Sequence, residues 1–281
     1  MVLEALDKKE INEIFDINSK KILNFLLQKT IISYPEFLPS QKETSLYLEK
    51  KQCEQWIVQC LGLNPVGEGN YPIDGTRDKN GYDVSSLSLG QTPKTKKMNS
   101  QTGEKSLGQK FEDENFGELD DTLDQLFLNK EGTKIVDAWK TILKKKWINT
   151  IKEKNLDTLF LVNLVIYKIE AKFYVFLLKI NHEKLERIEK GEFSKKGSSI
   201  DVKNIIDTKY GNVKIYKAKK RLELRLKPKE FLKEGKYLCF DLENNTSSKN
   251  LRDIFNNDKQ LQEYCNQEIE KYKSFFEKLK K

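Results

Sequence analysis

The sequence predicts a mixed α+β or α/β chain, with a mixed central β-sheet flanked by helices and helical segments at both ends. Three observations predict it. Phe160 to Ile169 and Lys172 to Asn181 are apolar runs rich in Val, Ile, Phe and Tyr, and read as paired, mostly buried strands. Stretches with helical apolar spacing lie on either side of them, at 7–35, 45–61, 135–147 and 249–281. Gly, Asn and Asp residues punctuate 64–81 and mark a hairpin ahead of the long strands.

In chain order, Ile11, Ile14, Phe15, Ile22, Phe25 and Leu26 define an amphipathic helical segment that ends before Pro35. Leu46, Cys53, Trp56, Ile57, Cys60 and Leu61 define a second helix, which Gly62 stops. Glu54 lies along the same side as Ile57 and Leu61. A glutamate there is either a solvated flank of the apolar stripe or an acid on its inner face.

Pro72-Ile73-Asp74-Gly75 ends an extended stretch, Thr76 to Gly81 is rich in turn residues, and Tyr82-Asp83-Val84-Ser85 opens a second strand. The expectation is a hairpin that places Asp74 and Asp83 on adjacent strands. Two such carboxylates can grip a hard cation such as Mg²⁺, which takes oxygen ligands and keeps several waters. Asp74-Gly75 is equally a common turn element. Residues two apart on a strand share a face, so Asp83 and Ser85 look the same way.

From Gly90 to Gly103 the chain is polar and carries Lys94, Lys96 and Lys97, which reads as a mobile basic loop beside the hairpin. Gly103 to Phe111 reads as a helix start, with Leu107 and Phe111 one turn apart. Glu104 there can favour a helix N-terminus through the dipole. Residues 112–124 hold seven acids and no base, a stretch that repels phosphates and belongs away from any nucleic-acid face. A helix then runs through Ile135, Ala138, Trp139, Ile142 and Leu143 to Trp147, ahead of the two apolar strands.

Val213 to Lys229 carries eight basic residues and one acid. Within it Leu222, Leu224 and Leu226 alternate with Arg221, Glu223, Arg225 and Lys227, so a strand there buries leucines and shows charge. That face, with Lys219 and Lys220, either grips a phosphate backbone or guards an exposed edge strand against aggregation. The final charged helix packs on the domain or on a second protomer.

Composition narrows the function classes. The 281 residues include 51 Lys+Arg against 43 Asp+Glu, a formal +8 that permits an acidic polymer as partner. Cys53, Cys60, Cys239 and Cys265 have neither CxxC spacing nor the crowding of a disulfide scaffold, and read as small buried residues of a reduced compartment. His182 stands alone, which argues against a histidine-based zinc site and against nucleases that need a histidine base. No secretory signal or run of 18 apolar residues appears, so the expectation is a cytoplasmic protein with no membrane partner.

On the hairpin residues, the chain resembles the PD-(D/E)XK nuclease superfamily, which includes many restriction endonucleases. Pro72 and Asp74 fit the Pro-Asp element with one residue inserted, and Asp83 fits the second acidic position. Ser85 stands where the family usually carries lysine. The resemblance implies a restriction-endonuclease-like core over 44–248, with an N-terminal helical segment at 1–43 and a C-terminal helix at 249–281. It also implies a Mg²⁺-dependent endonuclease acting on double-stranded DNA, such as a type II restriction enzyme or another phage-defence nuclease. Asp74 and Asp83 would bind the metal, with Glu54 or Glu104 as a third carboxylate. Gln109 would support them from a polar helix, and Lys105 or Lys110 would stand in for the missing lysine. Lys94, Lys96, Lys97, Lys219, Lys220, Arg221, Arg225 and Lys227 would hold nucleic acid, and a homodimer would suit a symmetric target. The alternative is a noncatalytic DNA-binding or assembly protein on a degenerate nuclease scaffold. An interaction protein without a nucleic-acid partner is the third reading.

Overall fold

The computed structural model describes residues 1–32, 49–66, 72–92, 95, 97–109, 122–167, 170, 172–241 and 257–280. Among them the chain is a mixed α+β structure with two sheets. The first has seven strands: β1 (Leu3–Ala5), β2 (Asn64–Pro65), β3 (Gly75–Arg77), β4 (Asn80–Leu89), β6 (Thr158–Tyr167), β7 (Lys172–Ile180) and β12 (Leu238–Asp241). Its order is β1-β7-β6-β4-β3-β2, and β12 shares the outer edge of β7 with β1. β4 and β6 run parallel over ten residue pairs, and β6 and β7 are antiparallel, so the two apolar runs pair as expected and extend the sheet that carries the hairpin.

The second sheet orders β5 (Lys105–Gln109), β11 (Arg221–Leu226), β10 (Gly211–Tyr216), β9 (Ser199–Lys203) and β8 (Glu189–Phe193). Two expectations change here. Residues 103–111 do not begin a helix: Lys105–Gln109 is a strand whose Arg221↔Gln109 and Leu224↔Lys105 pairs place it beside β11. Tertiary pairing to a leucine-alternating partner has overridden a weak local helical spacing. β11 itself is no exposed edge, because β5 flanks it on one side and β10 on the other.

The first sheet is covered on both faces, and its side-chain alternation shows by what. Tyr82, Val84, Phe160, Val162 and Leu164 pack with α1 (Lys8–Ile14), α2 (Ile17–Ile32) and α3 (Lys50–Leu61). Leu87, Leu89, Leu161, Val165 and Tyr167 face the other way, onto α5 (Gly132–Lys154) and the leucine face of the second sheet. Asp83 and Ser85 share the parity of Leu87, and therefore look into the layer of α5 and β5.

The remaining helices are α4 (Leu123–Leu128), α6 (Pro228–Lys233) and α7 (Asp258–Lys280). The segment expected as one helix over 7–35 is two, since Asp7 caps α1 through a capping box with Glu10 and the chain breaks at Phe15 before α2 begins. Gly62, at φ +61, ends α3 in the left-handed conformation that glycine adopts without strain. The four cysteines are free. Cys53 and Cys60 are buried, whereas Cys239 and Cys265 are exposed, against the expectation of burial for all four. No helix among the described residues is long and apolar enough to cross a membrane.

Candidate functional site

Asp74 immediately precedes β3, and its backbone and side chain bracket Asp83. Its N–H donates to the Tyr82 carbonyl at 2.7 Å, and its Oδ2 accepts from the Val84 N–H at 2.7 Å. The two aspartates are thereby fixed beside each other across the hairpin, as the sequence predicts. Close packing makes this possible, since a Cβ on Gly75 would come within 2.8 Å of the Leu63 Cβ.

A lysine arrives from the other sheet. Lys105 is 4% exposed, and its Nζ donates to Asp83 Oδ1 at 2.8 Å and to the Ser85 hydroxyl. The chain reaches this position through a crossing at 102–103. Thr102 exchanges hydrogen bonds with Leu226 of β11, and the Gly103 N–H donates to the Ser88 carbonyl of β4 at 2.8 Å. A Cβ on Gly103 would come within 2.9 Å of the Ser88 hydroxyl, so a larger residue there would turn that side chain aside. The free edge of β5 is then held by α5: Trp139 Nε1 donates to the Gly108 carbonyl at 3.3 Å, and Lys146 Nζ to the Leu107 carbonyl at 3.3 Å. Lys146 also reaches Asp83 Oδ2 at 3.4 Å.

The electrostatics separate the two acids. Burial pushes the Asp74 carboxyl up to about 6; the charges of Asp83 and Glu54 add to that rise, while the Val84 N–H and Lys105 oppose it. Burial also pushes Asp83 up, but the ammonium groups of Lys105 and Lys146 outweigh it and hold this carboxyl below its usual range. Burial lowers Lys105, against the pull of Asp83. The arrangement is an ionised carboxylate under a buried ammonium, next to a second carboxylate that is costly to ionise. A cation seated between the acids would relieve that cost.

The donor set suits a hard cation. Asp74 keeps Oδ1 for coordination, Asp83 offers the remaining lone pairs of both oxygens, and Mg²⁺ needs only one or two carboxylates when waters and phosphate complete its shell. Among the described residues no three His, Cys, Asp or Glu side chains gather as a metal cluster, and Glu54 acts on Asp74 through its charge.

Glu104 is not part of this site. It turns to the outer face of the second sheet and pairs with Lys219 and Arg225, because its neighbour Lys105 takes the inward direction of the strand. The contact with Lys219 holds its carboxyl below the usual range. Gln109 lies on a strand rather than a polar helix, and Lys110, Lys94 and Lys96 lie outside the described residues. Lys97 is exposed in the loop after β4. Of the basic strand, Leu222, Leu224 and Leu226 are buried as predicted, but its charges are less available than the sequence implies. Lys219 and Arg225 are engaged by Glu104, Lys219 also approaches Glu223 at 3.3 Å, and Lys227 Nζ donates to the Thr208 carbonyl. Arg221 is exposed, and Lys220 occupies the β10–β11 turn at φ +47.

Two residues beside the site have weak sequence signals. Lys146 lies seven residues beyond Trp139 and three beyond Leu143, on the flank of the buried stripe of α5, and this spacing is the signal that marks it. Asn163, fully buried, pairs in register with Ser85; its Nδ2 donates to the Leu161 and Phe176 carbonyls, and its Oδ1 has no partner among the described residues. A polar residue inside the run Leu161 to Tyr167 was its only mark in the sequence. Comparison with protein-family models, curated proteins and solved structures gave no match for this chain.

Proposed function

We propose that the chain is a Mg²⁺-dependent endonuclease of the PD-(D/E)XK type, with a restriction-endonuclease-like core, that hydrolyses phosphodiester bonds of double-stranded DNA. One observation carries the reading: the Lys105 ammonium lies between Asp83 and Ser85, where a lysine at position 85 would bring its charge. The departure at Ser85 is thus compensated from another strand. A Mg²⁺ held by Asp74 and Asp83 would supply Lewis-acid polarisation of the phosphate and of a bound water.

The protein groups have separate roles. Asp74 and Asp83 fix the position of the cation and, through it, of the scissile phosphate. Lys105 has three donors, of which two go to Asp83 and Ser85, leaving one for the attacking water or a phosphate oxygen. Lys146 holds the second oxygen of Asp83 and so orients the carboxylate that faces the cation. Ser85 keeps the ammonium in register. The formal +8 charge favours approach of a polyanion, and a two-fold dimer would match a symmetric duplex target.

The test is cleavage of plasmid and phage DNA with Mg²⁺ and with EDTA, using the wild type, Asp74→Ala, Asp83→Ala and Lys105→Ala. Mg²⁺-dependent cutting that all three variants lose is the expected result. Full activity in both aspartate variants overturns the assignment. A noncatalytic DNA-binding or assembly role is favoured by one feature, the occupation of both Asp83 oxygens by lysines. Salt-sensitive DNA retention without metal-dependent cutting would establish that role instead.

A further inference from the structure

The outer face of the second sheet carries a cavity of about 250 Å³ lined by Gln101, Asn212, Lys214, Tyr216, Glu223 and Arg225. It lies on the opposite side of the sheet from Lys105. Its walls follow from strand parity: Asn212, Lys214 and Tyr216 alternate along β10, Glu223 and Arg225 along β11, and Lys214↔Glu223 and Asn212↔Arg225 are cross-strand pairs.

Three features of the lining point to a ligand. Glu223 is a carboxylate only 3% exposed, an uncommon state for an acid unless partners meet it; Lys219 approaches it at 3.3 Å and Glu104 lies beside it, while the Lys214 ammonium turns to Asp201 at 3.0 Å. The side-chain polar groups of Gln101, Asn212 and Tyr216 have no hydrogen-bond partner among the described residues. Arg225 commits one guanidinium nitrogen to Glu104, and its buried Nε has no partner. A simple anion is a poor occupant, because Glu223 repels it. The ligand needs a donor edge for Glu223 and an acceptor edge for Arg225, whose buried Nε has no partner. The volume is below the roughly 300–1,000 Å³ of sites for drug-sized molecules, which limits the buried part to about one ring system.

We propose that this cavity binds a guanine nucleotide unit, with the base inside and the phosphate at its mouth. Guanine presents N1–H and the exocyclic amino group as adjacent donors for the Glu223 carboxylate, and O6 and N7 as acceptors for Arg225. The Lys219 ammonium stands over one face of Tyr216 at 5.2 Å, so that ring offers its other face to the base; Asn212 and Gln101 complete the polar edges of the base, and Lys214 exchanges its 3.0 Å contact with Asp201 for the phosphate. Adenine offers an acceptor at N1 against the carboxylate and is rejected. The unit can come from a free mononucleotide or from a base turned out of a nucleic-acid strand. The site shares no residue with the Asp74–Asp83 pair, so its occupancy does not depend on catalysis there.

Calorimetric titration in EDTA tests this with GMP, AMP, inorganic phosphate, a guanine-bearing single-stranded oligonucleotide and an oligothymidine of the same length. The expected result is GMP binding at least tenfold tighter than AMP or phosphate, with a loss of at least tenfold in Glu223→Gln and in Asn212→Ala. Asn212 is only partly buried, so its variant reports on the site even if Glu223→Gln folds poorly. A guanine oligonucleotide tenfold tighter than GMP identifies a strand as the source, and equal or weaker binding identifies the free nucleotide. Equal affinity for GMP, AMP and phosphate overturns the proposal, as does GMP binding unchanged in Asn212→Ala, or no binding at all. Binding retained in Asp74→Ala separates this result from the fate of the nuclease reading.

Discussion

Replacing Asp74 by Asn should stabilise the protein while removing its proposed metal site. In the fold its carboxyl titrates near 6 instead of the ordinary 3.8, a rise of about two units. At 1.36 kcal/mol per unit, ionised Asp74 costs roughly 3 kcal/mol at pH 8, and partial exposure reduces that to about 1–2 kcal/mol. Asparagine keeps an acceptor for the Val84 N–H and removes the charge. The native state holds its proton more tightly than the unfolded chain does, so this group's stabilising contribution is full below pH 3.8 and is lost as pH rises through about 6. Thermal melts of wild type and variant should therefore differ by roughly 3–6 °C at pH 8, at about 2–4 °C per kcal/mol, and by about half as much at pH 5. Mg²⁺ should raise the melting temperature of the wild type at pH 8 and leave Asp74→Asn unmoved. A variant no more stable than wild type at pH 8, or a gain equal at the two pH values, would refute the account of Asp74 as an acid held under electrostatic strain.

Other outcomes follow from the same geometry. Lys105→Met should fold, as circular dichroism can verify, and should cut DNA at least about 100-fold more slowly, the usual minimum for a positioned acid–base group. Exchanging the two residues, Ser85→Lys with Lys105→Ser, should restore activity to within about tenfold of wild type, because the ammonium returns to the same carboxylate from the strand itself; rates no better than Lys105→Met would count against positional equivalence. At limiting Mg²⁺, cleavage by the wild type should decline below about pH 6 as protons compete with the cation for Asp74, and saturating Mg²⁺ should move the decline to lower pH, measured as initial rate against pH at constant ionic strength. Leu107→Ala, in the layer between β5 and α5, should cost about 2–5 kcal/mol in a denaturant titration.

Much of the fold was legible where periodicity is long. The strand pair at 158–167 and 172–180, the helix through Trp139 and Trp147, and the alternating leucines of 221–226 all follow from apolar spacing. The hairpin that brings Asp74 to Asp83 was legible from its turn residues. The strand at 105–109 was not, because five residues including Gly108 carry too little pattern and the information that makes them a strand lies in Leu222 and Leu224, more than a hundred positions away. Without that strand the sequence does not place Glu104 and Lys105 on opposite faces, and it leaves Lys105 and Lys110 equivalent. The ion pairs that engage the basic strand were hidden for the same reason, since Glu104 is distant in sequence from Lys219 and Arg225.

The ammonium and the acid it serves belong to different slabs of the molecule, joined at the Thr102–Gly103 crossing and clamped by α5. Their separation is therefore a gauge of how those slabs are seated. A slide of about one ångström between them would leave every strand intact, yet would stretch the 2.8 Å contact between the nitrogen and its oxygen beyond hydrogen-bond reach. Wear in the interior of this protein should register first as lost chemistry and only later as lost shape.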